Sequence, residues 1–137
     1  MYRPIPALAS VFLFLSPVAL AQDKADFIDG TYVLNPEGCA MLRARAVSGV
    51  ENADTTPWTV SADGISFWEG GCAWSRVEKT GENTWALAAS CEDGLDSYSE
   101  SYVYRRLRAG ELEVTLTTEG ASEKDRRPHT YLRCEAA

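Results

Sequence analysis

Residues 72–91, Cys72-Ala-Trp-Ser-Arg-Val-Glu-Lys-Thr-Gly-Glu-Asn-Thr-Trp-Ala-Leu-Ala-Ala-Ser-Cys91, decide how this chain is read. Thr80-Gly81-Glu82-Asn83 supplies the turn chemistry that separates two strand-like runs. Symmetric pairing about that turn makes partner numbers sum to 163, and Cys72 and Cys91 meet that sum. They stand opposite each other with Cβ atoms roughly 4.5–5.5 Å apart, within reach of the ~3.8 Å of a disulfide. The same register pairs Ala89 with Trp74, Leu87 with Arg76 and Trp85 with Glu78. A Cys72–Cys91 bond leaves Cys39 to join Cys134 by elimination, tying the region near residue 39 to the C-terminal strand.

The segment just before it, Phe67-Trp-Glu-Gly-Gly-Cys-Ala-Trp74, has its apolar positions on odd numbers at Ile65 and Phe67 and on even numbers at Cys72 and Trp74. An unbroken strand cannot change face in this way. A β-bulge at Gly70-Gly71 is expected to make the switch and to leave Trp68 facing outward.

Hairpin signals continue on both sides. Asp63-Gly64 separates Trp58–Ala62 from Ile65–Trp68, predicting Ala62 opposite Ile65 and Val60 opposite Phe67. A third turn at Arg108–Glu111 predicts Leu107 against Leu112, Val103 against Leu116 and an Arg106–Glu113 ion pair. Phe27–Leu34 reads as a first strand and His129–Glu135 as the last. One helix interrupts the pattern: Asn35 is a good N-cap, Pro36 suits the first helical position, Glu37 the positive end, and Gly49 the C-terminal cap. Cys39, Met41, Leu42 and Ala46 form its apolar side. The fold expected is all-β with one short helix, a small antiparallel up-and-down barrel of about seven or eight strands, lipocalin-like; a β-sandwich is the alternative.

The chain begins with targeting chemistry. Arg3, the apolar run Val11–Leu15 and Ala19-Leu20-Ala21 fit a secretory signal peptide over residues 1–21. The apolar run falls short of the ~20 residues of a membrane span, so no span is expected after cleavage. Residues 22–137 then form one disulfide-bonded domain of 116 residues that opens on a polar tail, 22–26. Losing Arg3 lowers the basic count from 13 to 12 against 20 acids, a mature net charge of −8. Such a surface disfavours nucleic acid and anionic membranes and suits a basic protein partner. Four cysteines, all in the exported part, read as two disulfides in an oxidising compartment, periplasmic or secreted. No N-glycosylation sequon occurs.

Catalytic signals are weak. His129 is the one histidine and no Gly-x-Ser-x-Gly elbow is present. On the last strand His129, Tyr131 and Arg133 share a face expected to be exposed. The acidic run 92–100 lacks calcium-loop spacing and reads as a solvated connection. No cofactor or metal motif appears, and no enzyme activity is expected.

Binding signals are stronger. Tyr98, Tyr102, Tyr104, Arg106 and Arg108 alternate onto one face, expected to be outward, with the composition of an interaction surface. Arg105 falls on the opposite, inward face, where it needs a partner: Glu69, Glu78 or an anionic ligand. In size and architecture the chain resembles small exported barrels that inhibit lysozymes or proteases, a likeness that carries no functional residues with it. The function expected is that of a non-enzymatic binding protein, an inhibitor or accessory factor, with contacts in loops 50–57, 92–100 and 119–127. A lipocalin-like small-ligand carrier is the alternative, and a hydrolase is disfavoured.

Overall fold

The computed structural model describes residues 23–135, so the signal-peptide segment lies outside the described residues. Eight strands close into one antiparallel barrel in sequence order: β1 (Tyr32–Val33), β2 (Thr59–Ser61), β3 (Gly64–Phe67), β4 (Gly70–Gly81), β5 (Thr84–Asp93), β6 (Asp96–Arg108), β7 (Glu111–Leu116) and β8 (His129–Arg133). The barrel closes where Tyr32 pairs with both Val60 and Arg133. Closure decides against the sandwich.

The helix α1 (Pro36–Ser48) lies between β1 and β2 with the expected ends. The Asn35 side chain accepts from the Gly38 amide, and Gly49 adopts φ 69° and donates to the Arg45 carbonyl. Its apolar side is weaker than expected. Only Gly38 is buried, and Ala46 and Val47 are exposed. The covalent bond from Cys39 to Cys134 anchors it instead (Cα–Cα 5.5 Å). The other disulfide is Cys72–Cys91 (Cα–Cα 4.0 Å), whose residues pair directly across β4 and β5.

Four local readings are corrected. First, the face switch between Phe67 and Cys72 is a chain reversal rather than a bulge. Phe67 pairs with Gly70 across a two-residue turn, Trp68-Glu69, with Glu69 at φ 59°. A two-residue hairpin pairs positions of opposite parity, here Ile65 with Cys72, so alternation survives without a bulge. The glycine requirement is steric: a Cβ on Gly70 would stand 2.3 Å from the Phe67 ring and 2.4 Å from the Glu92 carbonyl oxygen. The hairpin turns at Glu82-Asn83, one residue later than expected, and two irregularities in β4, at Thr80 and Ser75, follow, so Val77 rather than Arg76 pairs with Leu87, and Lys79 with Trp85. Apolar Val77 replaces a charged residue on the inner face.

Second, the first hairpin turns at Ala62-Asp63, one residue earlier than expected. Val60 pairs with Ile65 and Ser61 with Gly64. Gly64 belongs to the strand because the Cys72 carbonyl passes 1.8 Å from where its Cβ would be.

Third, the β6–β7 turn is placed correctly, with Arg108 opposite Glu111, but Leu107 is skipped in the ladder. One extra residue inverts every face beyond it. Tyr102 and Tyr104 point inward, opposite Leu116 and Val114, whereas Arg105 and Leu107 point out. The ion pair to Glu113 therefore comes from Arg105 (3.0 Å), not Arg106, and neither Glu69 nor Glu78 takes part.

Fourth, the 92–100 run is mainly strand. Asp93 pairs with Asp96 about the turn Gly94-Leu95.

The first strand is also shorter than expected, because residues 25–28 turn inward across one barrel end. Although Asp23, Lys24 and Asp26 remain exposed, Ala25, within the expected polar tail, and Ile28 are buried there. The core they join is filled by Trp74, Tyr32, Tyr104, Trp85, Leu87 and Leu112. Trp74 Nε1 donates to the Ser61 carbonyl at 3.1 Å, satisfying its one polar atom inside the barrel.

Candidate functional site

Up-and-down order sends alternate connections to opposite ends. One end carries the turns 62–63, 82–83 and 109–110 and is plugged by residues 25–28. The Ala25 amide donates to Ala62 (2.8 Å), Phe27 stacks on Trp85, and the Arg106 guanidinium donates to the Phe27 carbonyl while lying 5.4 Å over Trp85. Asp29 accepts from the Tyr32 hydroxyl (2.5 Å) and from Arg133 Nη1 (2.6 Å). Burial, then the bond to Asp29, pushes the Tyr32 phenol up to about 12. The same hydrogen bond holds the Asp29 carboxyl below its ordinary value. The residues of this end lock one another.

The other end carries α1 with residues 49–58, the turns 68–69 and 94–95, and the loop 117–128. It opens into a cleft of about 570 Å³. Trp58, Tyr102, Tyr131, Leu116 and Met41 form its apolar walls, and Glu100, Asp125 and His129 add polar groups. The inward face of β6 brings Glu100 and Tyr102 to it, and the inward face of β8 brings His129 and Tyr131. Glu100 is oriented from behind: Thr118 donates its hydroxyl to Glu100 Oε2 and accepts the Ser101 amide at 2.9 Å. Asp125 Oδ2 accepts from Ser122 (2.6 Å), and Arg126 ties the loop to the Thr118 carbonyl (3.2 Å). Trp58 stacks on Phe67 at 4.4 Å, which fixes an indole that is half exposed. Burial raises the Tyr131 phenol and, further, that of Tyr102. Beneath them the Tyr104 hydroxyl is buried with no hydrogen-bond partner among the described residues.

A second, shallower depression of about 740 Å³ lies beside this end over β3–β6. Its lining mixes glycines and serines with Glu69, Glu92, Ile65, the Cys72–Cys91 pair and Tyr98.

The expected tyrosine–arginine surface is thus divided. Trp68 and Tyr98 are at the open rim, each more than a third exposed, and Tyr102 lines the cleft. Tyr104 is core, Arg106 belongs to the plugged end, and Arg108 is exposed there in an ion pair with Glu111. Arg105 faces solvent in its ion pair with Glu113. Sequence reasoning placed contacts in loops 92–100 and 119–127 without singling out Glu100 or Asp125, missed Trp58, and put His129 and Tyr131 on a face expected to be exposed. A signal for Glu100 existed: a turn at Gly94-Leu95 pairs Ala89 with Glu100, as it pairs Leu87 with Tyr102, placing both on the apolar face of β5.

Fold and site together define a closed antiparallel barrel with one plugged end and one open, aromatic-walled mouth. No family model, curated protein or solved structure matches this chain.

Proposed function

We propose that the chain is an exported, non-enzymatic binding protein that engages a partner protein through the open end of its barrel, as an inhibitor or accessory factor. The carrying observation is that, Leu107 apart, the exposed large apolar side chains lie toward the open end. With the interior filled, Trp58, Trp68, Tyr98 and the fully exposed Leu95 gather at the open rim. Rigid aromatic anchors on short turns are the composition that concentrates binding energy at interfaces. The acidic surface favours a basic partner.

The test is capture from a periplasmic extract of the source organism by the mature chain and by Trp68→Ala/Leu95→Ser, with bound proteins identified by mass spectrometry. A protein held by the wild type and lost by the double variant supports the reading. If nothing enriches, and lysozymes and proteases run uninhibited in its presence, the reading is lost. A second reading, a small-ligand carrier of lipocalin-like form, is favoured by the cleft, whose volume lies within the ~300–1,000 Å³ of small-molecule sites.

A further inference from the structure

We infer that the cleft at the open mouth is a site for a small organic cation, an ammonium group carried on an apolar or aromatic body. This inference rests on the carrier reading and gives that site its ligand chemistry. Two carboxylates, Glu100 and Asp125, line the cleft, and neither has an ion-pair partner among the described residues. No lysine or arginine lines it. Apart from His129 and Asn35, the remaining walls are π faces and aliphatic groups, chiefly Trp58, Tyr102, Tyr131 and Leu116. Aromatic faces attract cations through the ring quadrupole, most strongly for Trp, and more so where water is displaced. A carboxylate beside such faces adds Coulomb attraction that partial burial strengthens.

Lys124, Arg126 and Arg127 share the loop of Asp125 but do not line the cleft, and Arg126 is turned to the Thr118 carbonyl. Arg106 and Arg133 are engaged at the plugged end, and Arg45, Arg76, Arg105 and Arg108 are paired on the outside with Glu51, Glu78, Glu113 and Glu111. An anionic ligand would meet two uncompensated carboxylates. A neutral apolar ligand would leave Glu100 under its body without a counter-charge. A cation satisfies both the charge and the walls. Glu100 is also held for the purpose: the Thr118 hydroxyl that donates to it is itself fixed by the Ser101 amide, so the carboxylate is set before a ligand arrives.

The test uses three soluble probes of similar size on the mature chain: benzyltrimethylammonium, neutral N-benzylacetamide and anionic phenylacetate. Binding is followed by calorimetry and by the NMR shift of the Trp58 indole. The expected result is that the cation binds at least about fivefold more tightly than either other probe and moves Trp58, and that Glu100→Gln removes most of that preference. Asp125→Asn, on an exposed loop, should lower cation affinity severalfold and provides the same comparison if Glu100→Gln disturbs the barrel. Equal binding of cation and neutral probe, unchanged in both variants, overturns the cation assignment while leaving the carrier reading standing. Binding of no probe at Trp58 overturns both, and leaves the partner-protein reading to its own capture test.

Discussion

The ring of Phe27 lies flat on the indole of Trp85, centroids 3.9 Å apart and planes 2° from parallel. Phe27 comes from the segment ahead of β1, Trp85 from the middle of the chain. Their contact, with the Arg106 guanidinium on the Phe27 carbonyl, seals one end of the barrel. Removing the ring should unseat the plug. Phe27→Ala is expected to cost about 2–3 kcal/mol, somewhat below a fully buried Phe because the ring is partly exposed. Urea denaturation read by Trp fluorescence measures it. A change under about 0.5 kcal/mol, the scale of an ordinary surface substitution, would show that the segment is not structural.

The two disulfides should differ in worth. Cys39–Cys134 spans 95 residues and Cys72–Cys91 spans 19. Loop-entropy arguments assign roughly 5 and roughly 3 kcal/mol. Paired Cys→Ala variants compared by denaturant midpoint should therefore place the long-range bond above the hairpin bond. The reverse order would mean that packing of the Cys72–Cys91 pair in the core outweighs chain entropy.

Glycine substitutions should separate close approach from mere conformation. Gly64→Ala brings a Cβ against the Cys72 carbonyl in the barrel wall, so a loss of about 3 kcal/mol or more, or failure to fold, is expected. Gly94 at φ 61° has open space around it, and Gly94→Ala should cost only about 1–2 kcal/mol of left-handed strain. Equal effects in thermal unfolding would contradict the packing argument.

Alkaline pH should unfold the barrel through its phenols. The Tyr32 pKa is raised to about 12, and burial holds Tyr102 and Tyr104 higher still. An unfolded tyrosine ionises near 10. Stability from these groups is complete below about pH 10 and falls as pH rises above it, through about 12 for Tyr32 and beyond that for Tyr102 and Tyr104. Phenolate absorbance followed together with circular dichroism should show most ionisation arriving with unfolding. Ordinary titration near pH 10 with native dichroism intact would refute it. Asp29, with its lowered pKa, acts at the other extreme: its contribution is present above the ordinary carboxyl range and falls away as pH drops below it.

Much of this was legible from local chemistry. Asn35, Pro36 and Gly49 mark a helix because caps and fixed φ act over a few residues. The expected Cys72–Cys91 pairing holds, but next to the turn the register differs from the symmetric one, and two irregularities in β4 restore it only from Trp74 to Gly70. Alternation and turn spacing suffice for an all-β chain with short connections.

Tertiary structure alone decided the rest. Nothing in residues 102–108 marks Leu107 as the residue to be skipped. The skip serves the inner faces of β5 and β7, which need Tyr102 and Tyr104 between them. A strand has two nearly equivalent faces, and a single extra residue exchanges them, so the tyrosines expected at the surface became core and cleft wall, and Arg105 moved outside. The mouth is likewise a product of closure. Trp58, Glu100, Asp125 and Tyr131 are distant in sequence, and they converge because β1 meets β8 and brings every second connection to one end. Sequence determined the elements, their turns and their covalent ties; which face of each strand met the interior depended on contacts made only once the barrel closed.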